Sequence, residues 1–129
     1  MLSPYRVLDL TNERGLLCGQ MLADLGADVI AVEPPGGNSA RQLGPFVDDE
    51  KGPERSLYWW AYARNKRSVT LDIKSDEGRG ELLRLVEGAH FLIESERPGR
   101  MAELGLSYGV EHSQPHEQVE VLYCQAGDD

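Results

Sequence analysis

The sequence has little cysteine, no long apolar run and a shortage of positive charge. Its two cysteines, Cys18 and Cys124, are too few for a disulfide framework or a cysteine metal site. We therefore expect two buried thiols in a reducing, cytoplasmic setting. No stretch approaches the roughly 18 consecutive apolar residues of a membrane-spanning helix, and the first residues lack the pattern of a secretory signal. No membrane association is predicted.

The deficit of positive charge also limits the choice of partners. There are 22 Asp and Glu against 13 Lys and Arg, for a net charge of −9. Because phosphate backbones require a basic face, a nucleic-acid partner is not expected. Residues 101–129 contain no Lys or Arg, whereas Arg64, Lys66 and Arg67 lie close together. That basic group could bind a small anion, or it could be the solvated start of a strand.

Short apolar runs alternate with segments of helical spacing along the chain. The predicted strands are residues 5–10, 28–33, 67–73, 89–94 and 119–124, and the predicted helices are residues 15–25, 56–64, 76–87 and 98–104. Thr11 or Asn12 is expected to cap the first helix, and Ser75 the third. The alternation predicts an α/β fold with a Rossmann-like, mainly parallel sheet and helices on both faces.

Two segments of this pattern suggest function without defining it. Residues 34–55 form a long connection rich in Gly, Pro and acids, and such connections are usually functional or poorly ordered. The helix that follows is crowded with aromatic residues: Tyr58, Trp59, Trp60 and Tyr62. They could form core packing, or they could contact a ligand or another subunit.

In an open α/β sheet, ligands bind at the carboxyl ends of the strands. Glu33, which ends the second strand, has the spacing of a ribose contact in a dinucleotide site. However, the turn after the first strand has one glycine, Gly15, where a pyrophosphate cradle needs three, and Glu13 would repel phosphate. The sequence therefore argues against NAD and FAD.

Motifs for metal binding and nucleophilic catalysis are missing. His112 and His116 are four residues apart, but Pro115 interrupts any helix between them and no third ligand stands nearby. We interpret them as loop histidines and predict no metal site. There is no Gly-x-Ser-x-Gly turn, and no single carboxylate among the 22 acids stands out as a nucleophile. No catalytic residue is assigned.

Several stretches, in order along the chain, resemble one enzyme family. They are RVLDLT at residues 6–11, MLADLGADVI at 21–30, VEPPGG at 32–37, NKRSVTLD at 65–72 and RPG at 97–99, with shorter matches at 40–45, 77–79 and 104–106. Together they cover about residues 4–106 and resemble the class III CoA-transferases, the family of formyl-CoA transferase, carnitine CoA-transferase and α-methylacyl-CoA racemase. The resemblance implies a Rossmann-like sheet that binds coenzyme A (CoA) at its strand ends.

The resemblance also implies a set of CoA-binding residues. They are Asn12, Arg14, Pro34, Arg41, Leu71, Lys74, Ser95 and Arg97. Leu71 matches an apolar residue of the adenine pocket, and Arg41, Arg97 and Arg100 are candidate partners of phosphate. Pro34 stands where many members have a basic residue.

Three other positions depart from the family pattern. Ser95 and Glu96 stand where many members have Asn and an aromatic residue, and Glu103 stands where some have Arg. An acid at either glutamate position would weaken phosphate binding by charge repulsion.

The chemistry implied by the resemblance is the movement of CoA between an acyl-CoA and a small carboxylic acid through a covalent aspartyl intermediate. CoA is then a substrate, and no cofactor is expected. In the family the aspartate lies beyond the fifth strand, so we expect residues 1–129 to be an incomplete N-terminal CoA-binding domain that is inactive alone. The resemblance further implies a homodimer. A racemase-type fragment and a non-catalytic CoA-binding or dimerisation module remain alternatives.

Overall fold

The structure is a computed structural model, which describes residues 1–106 and the backbone of residues 120–123. Its strands are β1 (Arg6–Leu10), β2 (Asp28–Glu33), β3 (Arg67–Thr70), β4 (Phe91–Glu94) and β5 (Glu120–Tyr123). Its α-helices are α1 (Leu16–Asp24), α2 (Leu57–Tyr62), α3 (Asp76–Glu87) and α4 (Arg100–Glu103). Two short 3-10 turns, Ser39–Gln42 and Val47–Asp49, lie between β2 and α2.

All five strands are parallel and are arranged in the order β3-β2-β1-β4-β5. The chain builds the sheet from β1 through β2 to β3, and then crosses back to place β4 on the other side of β1. This order confirms the predicted Rossmann-like sheet. It also creates a point between β1 and β4 where the direction of winding reverses.

Helices cover both faces of the sheet, as the sequence predicted. On one face, Leu82 and Val86 of α3 pack against alternate residues of the three central strands, which are Leu8, Ile30 and Leu92. On the other face, Ala23 of α1 packs against the intervening strand residues, which are Val7, Val29 and Ile93. The strands are therefore buried on both sides, which explains why β2 reads as a nearly continuous apolar run.

The beginnings of the helices were predicted with mixed success. Ser75 caps α3 as expected, since its Oγ accepts a hydrogen bond from the backbone N–H of Gly78 at 3.0 Å. The predicted cap of α1 by Thr11 or Asn12 is wrong, because α1 begins after Gly15 and no side chain caps it. The Thr11 hydroxyl donates to Asp9 instead, at 2.6 Å. That contact lies within the first turn and takes Thr11 away from the helix.

Two other boundaries differ from the prediction. β3 ends at Thr70, three residues earlier than expected, because the chain then turns: Ser75 N–H donates to the carbonyl of Asp72 at 3.0 Å. β4 begins at Phe91.

Cys18 is half-buried, whereas Cys124 lies outside the described residues. Among the helices of the described part of the chain, none is long and apolar enough to cross a membrane.

Candidate functional site

In folds of this architecture, ligands bind in a crevice at the carboxyl end of the sheet where the winding reverses, and in this chain the reversal lies between β1 and β4. The loops that follow these two strands are joined directly. The backbone N–H of Asn12 donates to Ser95 Oγ at 2.9 Å, and Asn12 Oδ1 accepts from the backbone N–H of Arg14 at 3.0 Å. Three of the residues predicted to contact a ligand therefore lie together at this crevice.

A buried ion pair supports the first of these loops from below. Lys66 Nζ donates to Asp9 Oδ2 at 2.7 Å and to the carbonyl of Leu16 at 2.8 Å. The other oxygen of Asp9 accepts from the backbone N–H and hydroxyl of Thr11 at 2.9 and 2.6 Å. Both side chains of the ion pair are 1% exposed. The pair therefore ties β1, the first turn, the start of α1 and the approach to β3 into one unit.

This arrangement favours the structural interpretation of the basic group at residues 64–67. Lys66 is the internal counter-ion of Asp9, Arg64 pairs with Asp24 at 3.3 Å, and Arg67 pairs with Asp28 at 2.7 Å. Every cation of the group already faces a carboxylate. In the described structure each of the three cations is therefore engaged in a pair within the chain.

Glycine at position 19 is what allows α1 to lie over the Asp9 carboxylate. A Cβ atom built on Gly19 would lie 2.1 Å from Asp9 Oδ2 and 3.1 Å from Lys66 Nζ. A side chain there would collide with the ion pair. The sequence prediction treated Gly19 as one helical residue among others, and no local signal distinguishes it.

A second buried acid, Glu33, ends β2 and holds the long connection that follows. It accepts from Arg41 Nε at 2.6 Å, from Arg41 Nη2 at 2.9 Å, from the backbone N–H of Asn38 at 2.9 Å and from Ser68 Oγ at 2.5 Å. Burial raises the pKa of Glu33, but the hydrogen bonds from Arg41, Ser68 and Asn38 outweigh it and lower the pKa to about 2. Glu33 is therefore an anchor that is ionised at neutral pH.

Arg41 completes this anchor. Its Nη1 donates to the carbonyl of Pro53 and to Glu54, both at 2.9 Å, and its guanidinium lies 4.1 Å from the centroid of a Trp59 ring. Each nitrogen of the Arg41 guanidinium thus donates a hydrogen bond to an acceptor within the chain. Its predicted contact with phosphate stays a prediction, and that contact would have to compete with Glu33. The sequence analysis did not foresee this tie across the loop.

Arg97 and Arg100 are also engaged. Arg97 Nη2 lies 2.8 Å from each carboxylate oxygen of Glu103, and Arg100 Nη1 lies 3.2 Å from one of them. Hydrogen bonds from Arg97 and Arg100 lower the pKa of Glu103. The group is exposed, and Arg97 has 64% of its side-chain surface accessible. An exposed pair of this kind contributes little to stability.

The remaining predicted residues follow β2 and β3. Pro34 is exposed, Leu71 is half-buried against the core face that holds α3, and Lys74 is exposed. Lys74 and Arg14 make no side-chain ion pair within residues 1–106. Among the cations predicted to bind CoA at the carboxyl ends of the strands, these two therefore have no carboxylate partner in the described part of the chain.

The third buried acid at this edge is Glu94, the last residue of β4, which was not among the predicted CoA-binding residues. It is 3% exposed. Its Oε2 accepts from the backbone N–H of Glu96 at 2.6 Å. Burial raises the pKa of Glu94, the Glu96 N–H opposes this, and the negative charge of Glu96 raises it further. No cation pairs with Glu94 within the described ranges.

Among the residues that the structure describes, no three His, Cys, Asp or Glu side chains are grouped so that they could hold a metal ion. His112 and His116 lie outside that part of the chain. Of the crowded aromatic residues, Trp59 is buried and Trp60 is 51% exposed, while the rings of Tyr58 and Tyr62 contact each other in a tilted arrangement, with centroids 4.8 Å apart. The Tyr58 hydroxyl donates to the carbonyl of Glu13 at 2.9 Å, which fixes the first turn from another side.

Comparison with known proteins identifies the class to which this sheet and crevice belong. The sequence model of CoA-transferase family III matches residues 2–116. The chain is 42% identical over 106 residues to succinyl-CoA:(R)-benzylsuccinate CoA-transferase subunit BbsE of Thauera aromatica, covering 82% of this chain and 26% of that one. It is 43% identical over 114 residues to succinyl-CoA–D-citramalate CoA-transferase of Chloroflexus aurantiacus, covering 87% and 27%.

Solved structures agree with this relationship. The fold superimposes on Rv3272 of Mycobacterium tuberculosis with a TM-score of 0.78 and 37% identity, over 96% of this chain and 32% of that one. It superimposes on a CAIB/BAIF family protein of Brucella suis with a TM-score of 0.77 and 36% identity, again over 96% and 32%. The chain belongs to CoA-transferase family III. It spans about a quarter of the length of the curated relatives that it matches.

Proposed function

We propose that this chain forms the CoA-binding part of an acyl-CoA transferase, which moves CoA between an acyl-CoA and a carboxylic acid. Family membership supports the reaction class. The structural observation that carries the proposal is the reversal of winding between β1 and β4, where the Asn12 N–H donates to Ser95 Oγ and joins the two loops. CoA takes part as a substrate, and the proposal requires no cofactor.

The charges at the strand ends suggest how CoA is held. CoA carries its charge on its phosphates, and the chain as a whole is repulsive to them at −9. Attraction must therefore come from local cations, and Arg14 and Lys74 have no carboxylate partner within residues 1–106. We propose these two as the principal phosphate contacts. Arg41 and Arg97, each held by a glutamate, are secondary candidates.

The proposal is tested by titration calorimetry of the chain with CoA. Arg14→Ala and Lys74→Ala should each weaken binding roughly tenfold, the effect of losing one charge-assisted hydrogen bond. Arg84→Ala is the matched control, because Arg84 is 74% exposed on α3 and its pair in the described part of the chain is with Glu81 at 2.7 Å. Its affinity should be unchanged. The losses should shrink at high salt, because exposed charges are screened over about 8 Å at physiological ionic strength.

Two results would contradict the proposal. If the unchanged chain does not bind CoA, the crevice is not a CoA site. If all three variants bind equally well, CoA binds elsewhere on the chain.

For the reaction itself, the names of the relatives make succinyl-CoA the first donor to test against a panel of carboxylic acids, with chromatography of the acyl-CoA products.

We also propose that the protein is a cytoplasmic homodimer. The outer side of α1 supports self-association, since Leu17, Met21 and Leu25 are 51%, 56% and 44% exposed in a row one helical turn apart. The small number of cysteines fits a reducing compartment. Sedimentation velocity should reveal a dimer, and a monomer at all concentrations would refute the assembly.

A further inference from the structure

The three buried acids at the carboxyl ends of the strands differ in whether a cation of the described residues pairs with them. Asp9 is paired with Lys66, and Glu33 is paired with Arg41. Glu94 is as deeply buried as they are, at 3% exposure against 2% and 4%, but no cation pairs with it among the described residues. A buried carboxylate without a counter-ion is unfavourable and therefore calls for another partner.

The position of Glu94 shows where that partner would come from. In the sheet register Glu94 lies beside Leu10 at the end of β1 and beside Tyr123 at the end of β5. It is therefore at the base of the crevice that separates the two directions of winding, the usual ligand position in this architecture. One carboxylate oxygen is used by the Glu96 N–H at 2.6 Å. The other receives no hydrogen bond from residues 1–106.

We propose that Glu94 binds the ligand directly, by accepting a hydrogen bond from an amide N–H of the pantetheine arm of CoA. This inference rests on the proposed function. Glu94 and the exposed Glu96 two residues later repel phosphate, so the donor lies on a part of CoA that is remote from its phosphates. The ribose hydroxyl of CoA is adjacent to a phosphate, whereas the amide N–H groups of pantetheine are strong hydrogen-bond donors on an arm that extends away from the phosphates. The negative charge of the crevice thus orients the ligand.

The test separates the two ends of CoA. The 129-residue chain is titrated with CoA, with pantetheine and with adenosine 3′,5′-bisphosphate, which lacks the pantetheine arm. Glu94→Gln retains the shape of the side chain but replaces one acceptor oxygen with a donor. It should weaken pantetheine binding roughly tenfold, the loss expected for one hydrogen bond to a charged group. Binding of adenosine 3′,5′-bisphosphate should be unchanged or stronger.

Glu96→Gln is the matched control, because it removes a charge from the same loop and retains the backbone N–H that Glu94 accepts. It should leave pantetheine affinity within about twofold of the original, since it makes no contact with the arm. Thermal unfolding of both variants accompanies the titrations. Glu94→Gln should unfold at the same temperature as the unchanged chain or a higher one, because it removes an uncompensated buried charge.

The possible failures are distinguishable. Equal losses for all three ligands, or a lower unfolding temperature, would show that Glu94 only supports the loop. Unchanged affinity for all three would also overturn the contact. If the unchanged chain binds none of the ligands, the proposed function fails, and this inference fails with it.

Discussion

Breaking the buried pair between Asp9 and Lys66 should be among the most damaging single changes in this chain. In Lys66→Met the side chain retains most of its length and loses its charge. The Asp9 carboxylate then remains 1% exposed without a counter-ion, and the carbonyl of Leu16 loses its donor. Of the contacts to Asp9 within residues 1–106, the two hydrogen bonds from Thr11 remain to stabilise the negative charge.

The size of the effect follows from burial. Removing one partner of a buried ion pair typically costs about 3–5 kcal/mol. Since single domains are stable by about 5–15 kcal/mol in total, this is a large part of the free energy of unfolding. Arg67→Met, one residue later, is the matched control. Arg67 is 62% exposed and its partner Asp28 is 33% exposed, so the loss should be at most about 1 kcal/mol.

Urea unfolding of the chain, followed by the fluorescence of Trp59 and Trp60, measures both values. Asp9→Asn in the Lys66→Met background should recover part of the loss, because it removes the stranded charge while preserving the shape of the side chain. If Lys66→Met and Arg67→Met cost the same, the pair does not hold the first turn. The same result would remove our explanation of how Asn12 and Arg14 are positioned.

Two further predictions concern the same edge of the sheet. Gly19→Ala should destabilise the chain by about 1–3 kcal/mol, because its Cβ would lie 2.1 Å from Asp9 Oδ2. Gly80→Ala on α3 should stabilise the chain by about 0.5–1 kcal/mol, because beyond the adjoining helix backbone its Cβ would meet no atom of the described residues within 4 Å. Equal signs for the two changes would contradict the packing described. The pKa of Glu33 lies at about 2 in the folded chain, below its ordinary value of 4.5. The contribution of Glu33 to stability is therefore complete above about pH 4.5 and falls as the pH decreases toward 2. The total loss is about 3 kcal/mol. Chemical unfolding between pH 6 and 3 should therefore show a shallower decline in Glu33→Gln than in the unchanged chain, and parallel curves would contradict it.

The strands were predictable because their signals are local. β2 is apolar throughout its centre and ends at two prolines, and its predicted bounds, residues 28–33, agree with the structure. The caps of α2 and α3 are serines whose hydroxyls accept from a backbone N–H three residues later. Such patterns depend on a few neighbouring residues, so a sequence reveals them without a fold.

The contacts that position the site could not be predicted in this way. Lys66 lies 57 residues from Asp9, and Asn12 lies 83 residues from Ser95. Neither distance has a sequence signature. Thr11 was misassigned for the same reason: in isolation its hydroxyl suits a helix cap, but the fold places a buried carboxylate beside it. The location of the crevice was predictable from the order of strands, whereas the residues that hold it together were not.

The edge of the sheet thus combines two uses of buried carboxylates that have opposite effects on stability. Asp9 and Glu33 are each paired with a base from another segment, and the pairing fixes that segment. Glu94 has no such base within the described residues and carries an unfavourable charge. A sheet selected for stability alone would replace it with a neutral residue, and binding sites are where proteins retain such destabilising groups. We expect Glu94→Gln to retain its stability and to lose affinity for pantetheine. This combination is what a residue retained for its ligand should show.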